Sequence, residues 1–303
     1  MTVLVIGSLN MDIVMEVAHM PAIGETVLGD EVNYFFGGKG ANQAVACAKM
    51  GEAVSLVGKV GNDTFGDKLL IHMNMAQVEM SQVKREATAL TGTAAIMKLP
   101  EDNAIVVLPG ANQLVTPADL KDEMLAKADV LLAQLEIPPA TVLDALQRGK
   151  SKGLVTILNP APYTDEVQGM LPYLDYITPN ETEFGRMIGS KRGDYEVEAA
   201  MLAWAQTHMT HLIVTRGGAG VSYVCDGTVK TVVAPKVTVK DTTGAGDTFN
   251  GILAAALAKG ENLDAAVKKA TYGATLSVTK MGAQSAMPTP KQLADLIAQT
   301  EAK

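Results

Sequence analysis

The sequence predicts an α/β fold: a doubly wound, mainly parallel sheet flanked by helices, with a small inserted β-sheet lid. Three observations predict it. Short β-branched apolar runs alternate with helical patterns from one end of the chain to the other. Those runs are apolar throughout, as in strands covered by helices on both faces. Two regions, at about residues 12–36 and 92–109, carry strand-like stretches with no helix between them. They read as a small antiparallel sheet attached to the core. No linker, repeat or low-complexity tract divides the 303 residues, so a single domain over 1–303 is expected.

In chain order, core strands are expected at 3–7, 54–58, 130–134, 154–158, 173–178 and 212–215. Helices are expected at 41–50, 65–76, 117–126, 139–149, 197–207 and 249–259. Thr116-Pro117 and Thr289-Pro290 each combine an N-cap with proline at the first helical position. The helix at 249–259 has the clearest pattern: Phe249, Ile252, Leu253, Ala256 and Leu257 form one apolar stripe, and Gly260 stands where it would end. Lid strands are expected at 13–17, 93–99 and 104–108.

Composition narrows the function classes. With 48% apolar and 19% charged residues the chain has an ordinary globular profile rather than a disordered one. A formal net charge of −8 argues against nucleic acid or an acidic membrane surface as partner, because both need a basic face. An anionic ligand must therefore be held by local donors. No apolar run approaches the roughly 20 residues that span a bilayer. The first residues read as a strand rather than a signal peptide. The two cysteines, Cys47 and Cys225, form no C-x-x-C pattern, which suits a reducing, cytoplasmic location. His208 and His211 lack the companions of a zinc site.

Chemistry-bearing residues recur where strands end. Asn10, Glu136, Asn159, Asn180 and Thr215 each follow an apolar run, and in open α/β sheets the ligand crevice lies outside the carboxyl ends of the strands. Gly244, Ala245, Gly246 and Asp247 fall at the start of the helix described above. Unpaired N–H groups and the positive dipole end converge there, as in an anion site. Phe36-Gly37-Gly38-Lys39-Gly40-Ala41-Asn42-Gln43 lacks the P-loop hydroxyl after its lysine, and Gly7-Ser8-Leu9-Asn10 lacks the dinucleotide fingerprint. Lys39 and Asn42 beside bare backbone suit sugar hydroxyls, and the same glycines suit a plain turn. Asn180 and Glu183 read as a capping box. Thr215-Arg216-Gly217-Gly218-Ala219-Gly220 reads either as a passage beneath a nucleotide phosphate or as a glycine-rich strand exit.

Together these stretches resemble the ribokinase-like family of carbohydrate kinases. Gly-Gly-Lys-Gly-Ala-Asn-Gln-Ala at 37–44 and Asp-Thr-Thr-Gly-Ala-Gly-Asp-Thr-Phe at 241–249 carry the resemblance. Asn10-Met11-Asp12, Gln134-Leu135-Glu136, Asn159-Pro160-Ala161-Pro162, Pro179-Asn180-Glu181-Thr182-Glu183 and Gly282-Ala283-Gln284 follow in the expected order over essentially the whole chain. The resemblance implies transfer of the ATP γ-phosphate to the 5-hydroxyl of D-ribose, with 2-deoxyribose or another sugar or nucleoside as the alternative acceptor. It implies Asp247 as catalytic base and the backbone of Gly244, Ala245, Gly246 and Asp247 as the anion hole.

The resemblance further places the sugar on Asn10, Asp12, Gly38, Lys39, Asn42, Glu136 and Asp247. Asn180 and Glu183 would act on Mg²⁺ and phosphate, largely through water. The nucleotide would meet Thr215, Gly217, Gly220, Gly246 and Asp247, with adenine near 270–273. A monovalent cation, K⁺, would take oxygens of Asp241, Thr243, Ser277, Lys280, Gly282 and Ala286. At its last position this chain carries Ala286, with Ser285 one place earlier, where the family often has a serine. The lid would pair with that of a second subunit in a homodimer.

Overall fold

The computed structural model describes residues 2–99, 103–191 and 193–301. Its strands are β1 (Thr2–Ile6), β2 (Asn10–Val17), β3 (Gly29–Gly37), β4 (Ala53–Gly61), β5 (Val78–Glu86), β6 (Gly92–Lys98), β7 (Asn103–Leu108), β8 (Val130–Ala133), β9 (Val155–Leu158), β10 (Tyr176–Ile177), β11 (His211–Thr215), β12 (Val221–Cys225) and β13 (Thr228–Val232). The α-helices are α1 (Lys39–Lys49), α2 (Thr64–Met75), α3 (Asp122–Leu125), α4 (Pro139–Ser151), α5 (Val167–Met170), α6 (Glu181–Met187), α7 (Val197–Ala205), α8 (Ala245–Ala258), α9 (Leu263–Ser277) and α10 (Pro290–Glu301).

The main sheet runs in the order β13-β12-β11-β10-β9-β8-β1-β4-β5. It is parallel from β11 to β5, and β12 and β13 add an antiparallel edge. Side chains on a strand alternate between faces, and β1 shows what that does here. Leu4 and Ile6 enter a core with Val142, Ala145 and Leu146 of α4, Phe184 of α6 and Trp204 of α7. Val3 and Val5 point the other way, to Ala41, Ala44 and Val45 of α1 and Ala254 and Ala258 of α8. The strand is therefore apolar at every described position after Thr2. The stripe foreseen on α8 is buried as well: Phe249, Ile252, Leu253 and Ala256 pack on Ala266, Val267 and Ala270 of α9.

Several expectations need correction. Residues 117–126 form no continuous helix: a 3₁₀ turn at Pro117–Asp119 precedes α3. Asp119 closes a capping box on Thr116 and binds Lys84 at 2.8 Å, while Leu120 turns extended and is buried. Of the strand expected at 173–178 only Tyr176–Ile177 forms, because Leu171–Tyr173, with Pro172 inside it, makes a 3₁₀ turn first. The sheet at β2, β3, β6 and β7 is mixed rather than antiparallel, since its central strands β2 and β6 run parallel. Residues 100–102, inside the region expected to carry lid strands, lie outside the described residues. Strands β3, β5, β12 and β13 and helices α5 and α9 complete the fold beyond the elements foreseen, while the capping box at Asn180 opens α6 and Pro290 opens α10.

Two parts of the fold bring the site together. Along β2 and β6 the even-numbered residues Asp12, Val14, Ile96 and Lys98 line one cavity with Asp241, Thr243 and Gly282. Helices α1 and α8 meet at Gly251, where an added Cβ would lie 2.6 Å from Gln43 O and 2.4 Å from Ala46 Cβ. That approach is possible only for glycine. It sets the first turn of α1 beside the first turn of α8.

Candidate active site

Helix α8 opens on Gly244, whose φ of 73° is left-handed backbone that glycine adopts without strain. Phe249 is buried in the core, and the Thr248 hydroxyl donates to Gly244 O at 2.9 Å, so this start is fixed. Of the first N–H groups, that of Ala245 turns back to Thr242 O at 3.2 Å. Those of Gly246 and Asp247 fall among the donors that no preceding helical turn can satisfy. Gly246 lines a cavity of about 560 Å³, and Asp247, one residue on, points the other way into buried amides.

Asp247 is buried, and both its carboxylate oxygens accept hydrogen bonds. Asn42 Nδ2 donates to Oδ2 at 2.9 Å and Gln43 Nε2 to Oδ1 at 3.0 Å. Asn42 Oδ1 in turn accepts from Gln284 Nε2 at 2.8 Å. The cluster of Asp12, Lys39, Glu136 and Asp247 adjoins this pair. Burial, reinforced by the charges of Glu136 and Asp247 and opposed by Lys39, pushes the Asp12 carboxyl up from 3.8 to about 7. For Lys39, burial would lower the ammonium, but Asp247, Glu136, Glu183 and Asp12 together outweigh it and raise it. A lysine surrounded by carboxylates stays a cation.

Glu136 is anchored by Ser8 Oγ at 2.5 Å and by the backbone N–H of Lys39 at 3.0 Å. Asn10 is held by Asn112, whose Nδ2 donates to Asn10 Oδ1 at 2.7 Å and whose Oδ1 accepts the Leu9 N–H at 2.9 Å. Gly38 packs against the backbone of Ser8, Leu9 and Asn10 with no room for a Cβ. Asn10, Asp12, Gly38, Lys39, Asn42, Glu136 and Asp247 are thus gathered by β2, the start of α1, the exit of β8 and the start of α8.

On the far side of Asp247 the 560 Å³ cavity is lined by Thr215, Gly217, Gly220 and Gly246, and by Val237, Val239, Ala274 and Val278 among others. Of residues 270–273, near which adenine is expected, Thr271 lines the cavity together with Ala274 and Thr275, whereas Ala270 lies in the core. Asn180 and Glu183 do form a reciprocal capping box, Asn180 N–H to Glu183 Oε2 at 2.9 Å and Glu183 N–H to Asn180 Oδ1 at 2.8 Å. Burial raises the Glu183 carboxyl against the pull of that N–H and of Lys39 and Arg186.

The residues foreseen around a monovalent cation centre on Asp241, whose own N–H donates to Val278 O at 3.3 Å. Asp241 Oδ1 accepts from Thr243 N–H at 2.9 Å and Oδ2 from Gly282 N–H at 2.8 Å. Burial alone would raise this carboxyl, but those donors and Lys98 hold it below the ordinary aspartate value. Asp241, Thr243 and Gly282 share the cavity of about 170 Å³ beneath the lid, whose lining does not include Ser277, Lys280 or Ala286. Ala286 is buried, and Ser285 Oγ donates to Met281 O at 2.9 Å. Ser8, Gln43, Asn112 and Gln284 were not singled out from the sequence. Gln43 and Gln284 stood inside the quoted motifs, but nothing marked their partners.

The chain is similar to known proteins over nearly its whole length. The pfkB family carbohydrate kinase profile matches residues 2–290. The chain belongs to that family. The ribokinase of Bacillus subtilis is 39% identical over 297 residues, covering 97% of this chain and 98% of its own. The deoxyribokinase of Salmonella typhi is 33% identical over 308 residues, covering 99% and 100%. The structure of Arabidopsis thaliana ribokinase complexed with ribose and ATP superimposes with a TM-score of 0.87 at 29% identity, covering 97% of each chain. Among the described residues no helix is long and apolar enough to cross a membrane.

Proposed function

We propose that this ATP-dependent sugar kinase transfers the γ-phosphate of ATP to the 5-hydroxyl of D-ribose. The carrying observation is the start of α8. Gly246 faces the large cavity, and the adjacent Asp247 is held by Asn42 and Gln43 beside the charged cluster of Asp12, Lys39 and Glu136. A nucleotide in that cavity and a pentose against that cluster would meet at that turn. Phosphoryl transfer is chiefly a matter of positioning and charge stabilisation. The sugar hydroxyl oxygen attacks the γ-phosphorus as its proton passes to the Asp247 carboxylate, and the bond to the ADP oxygen breaks. The N–H groups of Gly246 and Asp247, at the positive end of the helix, receive charge on the transferring group. Asp12, Asn10, Lys39 and Glu136 hold the sugar hydroxyls.

Asn180 and Glu183 fit a hydrated Mg²⁺. One Glu183 oxygen is taken by the cap and the other remains for a metal-bound water, and among the described residues no three acidic, His or Cys side chains form a metal cage. Bound there, Mg²⁺ would neutralise phosphate charge. Asp241 supplies an anionic oxygen suited to K⁺. The lid as a homodimer surface is supported by strand β7, where Ile105, Val106, Val107 and Leu108 are all about half exposed; light scattering reads it, and a monomer at micromolar concentration removes it.

The test is a panel of specificity constants for ribose, 2-deoxyribose, fructose, tagatose and adenosine, measured in KCl and in NaCl at equal ionic strength. Ribose is expected to lead and KCl to give the higher rate. A site that hydrogen-bonds the 2-hydroxyl discriminates against its loss, so 2-deoxyribose in first place overturns the acceptor assignment. Equal rates in the two salts remove the cation.

A further inference from the structure

The buried amides around Asp247 form a directed chain. A carboxylate can only accept, so Asn42 must present Nδ2 to one oxygen and Gln43 Nε2 to the other. Every neighbouring amide is then fixed in turn. Asn42 Oδ1 faces Gln284 Nε2 at 2.8 Å, and Gln284 Oε1 faces His72 Nε2 at 2.8 Å, which therefore carries a proton. On the other side Gln43 Nε2 also reaches Asn159 Oδ1 at 3.2 Å, and Gln43 Oε1 accepts from Gln134 Nε2 at 2.6 Å. The chain ends at Gln134 Oε1, which is buried with no donor among the described residues. Reversing Gln134 would set its oxygen face to face with Gln43 Oε1 and still give it no donor. The arrangement leaves a buried acceptor unsatisfied in order to keep Gln43 pointed at Asp247.

The two amides that touch the carboxylate are not equivalent. Asn42 stands where the sugar is expected, whereas Gln43 is fully buried and its side chain bonds to Asp247, Asn159 and Gln134. Its side chain lines neither cavity. We propose that Gln43 is a positioning residue for the phosphoryl transfer: its amide, braced by Gln134 and Asn159, fixes the rotamer of Asp247 so that one carboxylate lone pair faces the acceptor hydroxyl. A neutral amide is suited to this because it neither takes the proton nor alters the site charge. The inference rests on the assignment of Asp247 as base.

The experiment compares Gln43→Met and Gln43→Glu with the parent chain. Gln43→Met keeps length and burial but frees one side of Asp247; kcat is expected to fall roughly 10- to 100-fold, the scale of a misplaced reacting group, with KM for ribose and ATP within about twofold. Gln43→Glu puts a second carboxylate against Asp247, so the pair retains a proton, and the acidic limb of the kcat–pH profile is expected to move up by about one unit or more. A change in KM with kcat unchanged, or an unmoved acidic limb in Gln43→Glu, overturns the proposal. If Gln43→Met does not fold, Gln134→Met removes the brace and is expected to lower kcat roughly three- to tenfold; unchanged kcat overturns the proposal equally. Asp247→Asn separates the two ideas. Full turnover there removes the base itself, while lost turnover beside a fully active Gln43→Met removes only the role of Gln43.

Discussion

The two halves of the site are built from different materials. The lid side presents side chains, Asn10, Asp12, Lys39 and Glu136, each fixed by a named partner or by neighbouring charge. The cavity on the far side of Asp247 presents mainly glycine backbone and small apolar groups such as Gly217, Gly220, Val237 and Ala274. Buried polar groups discriminate because each is costly to leave unpaired. Apolar walls discriminate mainly by shape. Acceptor choice should therefore depend on single atoms, and nucleotide binding on the volume left open.

The largest expected break in that contrast is at Asp12. Asp12→Asn removes a charged acceptor, and KM for ribose is expected to rise roughly 10- to 100-fold while KM for ATP stays within about twofold; initial rates with each substrate varied in turn check this. A smaller effect is expected from filling the apolar half. Ala274→Leu should raise KM for ATP about three- to tenfold and leave ribose unaffected. If either variant moves both constants together, the two halves are not independent.

The smallest effect concerns stability. The folded chain holds the Asp12 proton to about pH 7, while the unfolded chain releases it near 3.8. Between those values the native state binds more protons, so this group's contribution to stability is present below about 4 and is lost as pH rises to about 7. Asp12→Asn should melt close to the parent at low pH and above it by roughly 2–6 °C near pH 8. Parallel melting curves from pH 5 to pH 8 would refute the assignment. A residue expected to bind sugar is then one the ligand-free fold would do better without near pH 8.

Much of this architecture is legible in the sequence because fully buried strands such as β1 and β8 are apolar at almost every position. Strand β5, Val78-Glu79-Met80-Ser81-Gln82-Val83-Lys84-Arg85-Glu86, is not legible for the opposite reason: it is an edge strand whose polar residues largely remain in solvent. Helix α9 is rich in small residues and lacks a strong stripe, although its Asn262 cap, accepting the Ala265 N–H at 2.9 Å, was a usable signal. In the site, Asp247 and Lys39 stand in motifs whose glycines announce them. The contacts that orient them do not, because Gln43 meets a residue 204 positions away and Asn42 one 242 positions away. Only the folded register of α1 on α8 brings those amides together.

The parallel pairing of β2 with β6 has a mechanical side. Asn10 pairs with Gly92 at the first rung, where both strands leave the core, and Asn112 holds that end through Leu9 and Asn10. Any swing of the small sheet pivots there, so displacement grows with lever arm along β2. Asn10 sits at the fulcrum, Asp12 about 7 Å out and Val14 about 13 Å out. In the sugar site proposed above, Asn10 and the α1 amides would hold their places through such a swing, while the contact to Asp12 would change more.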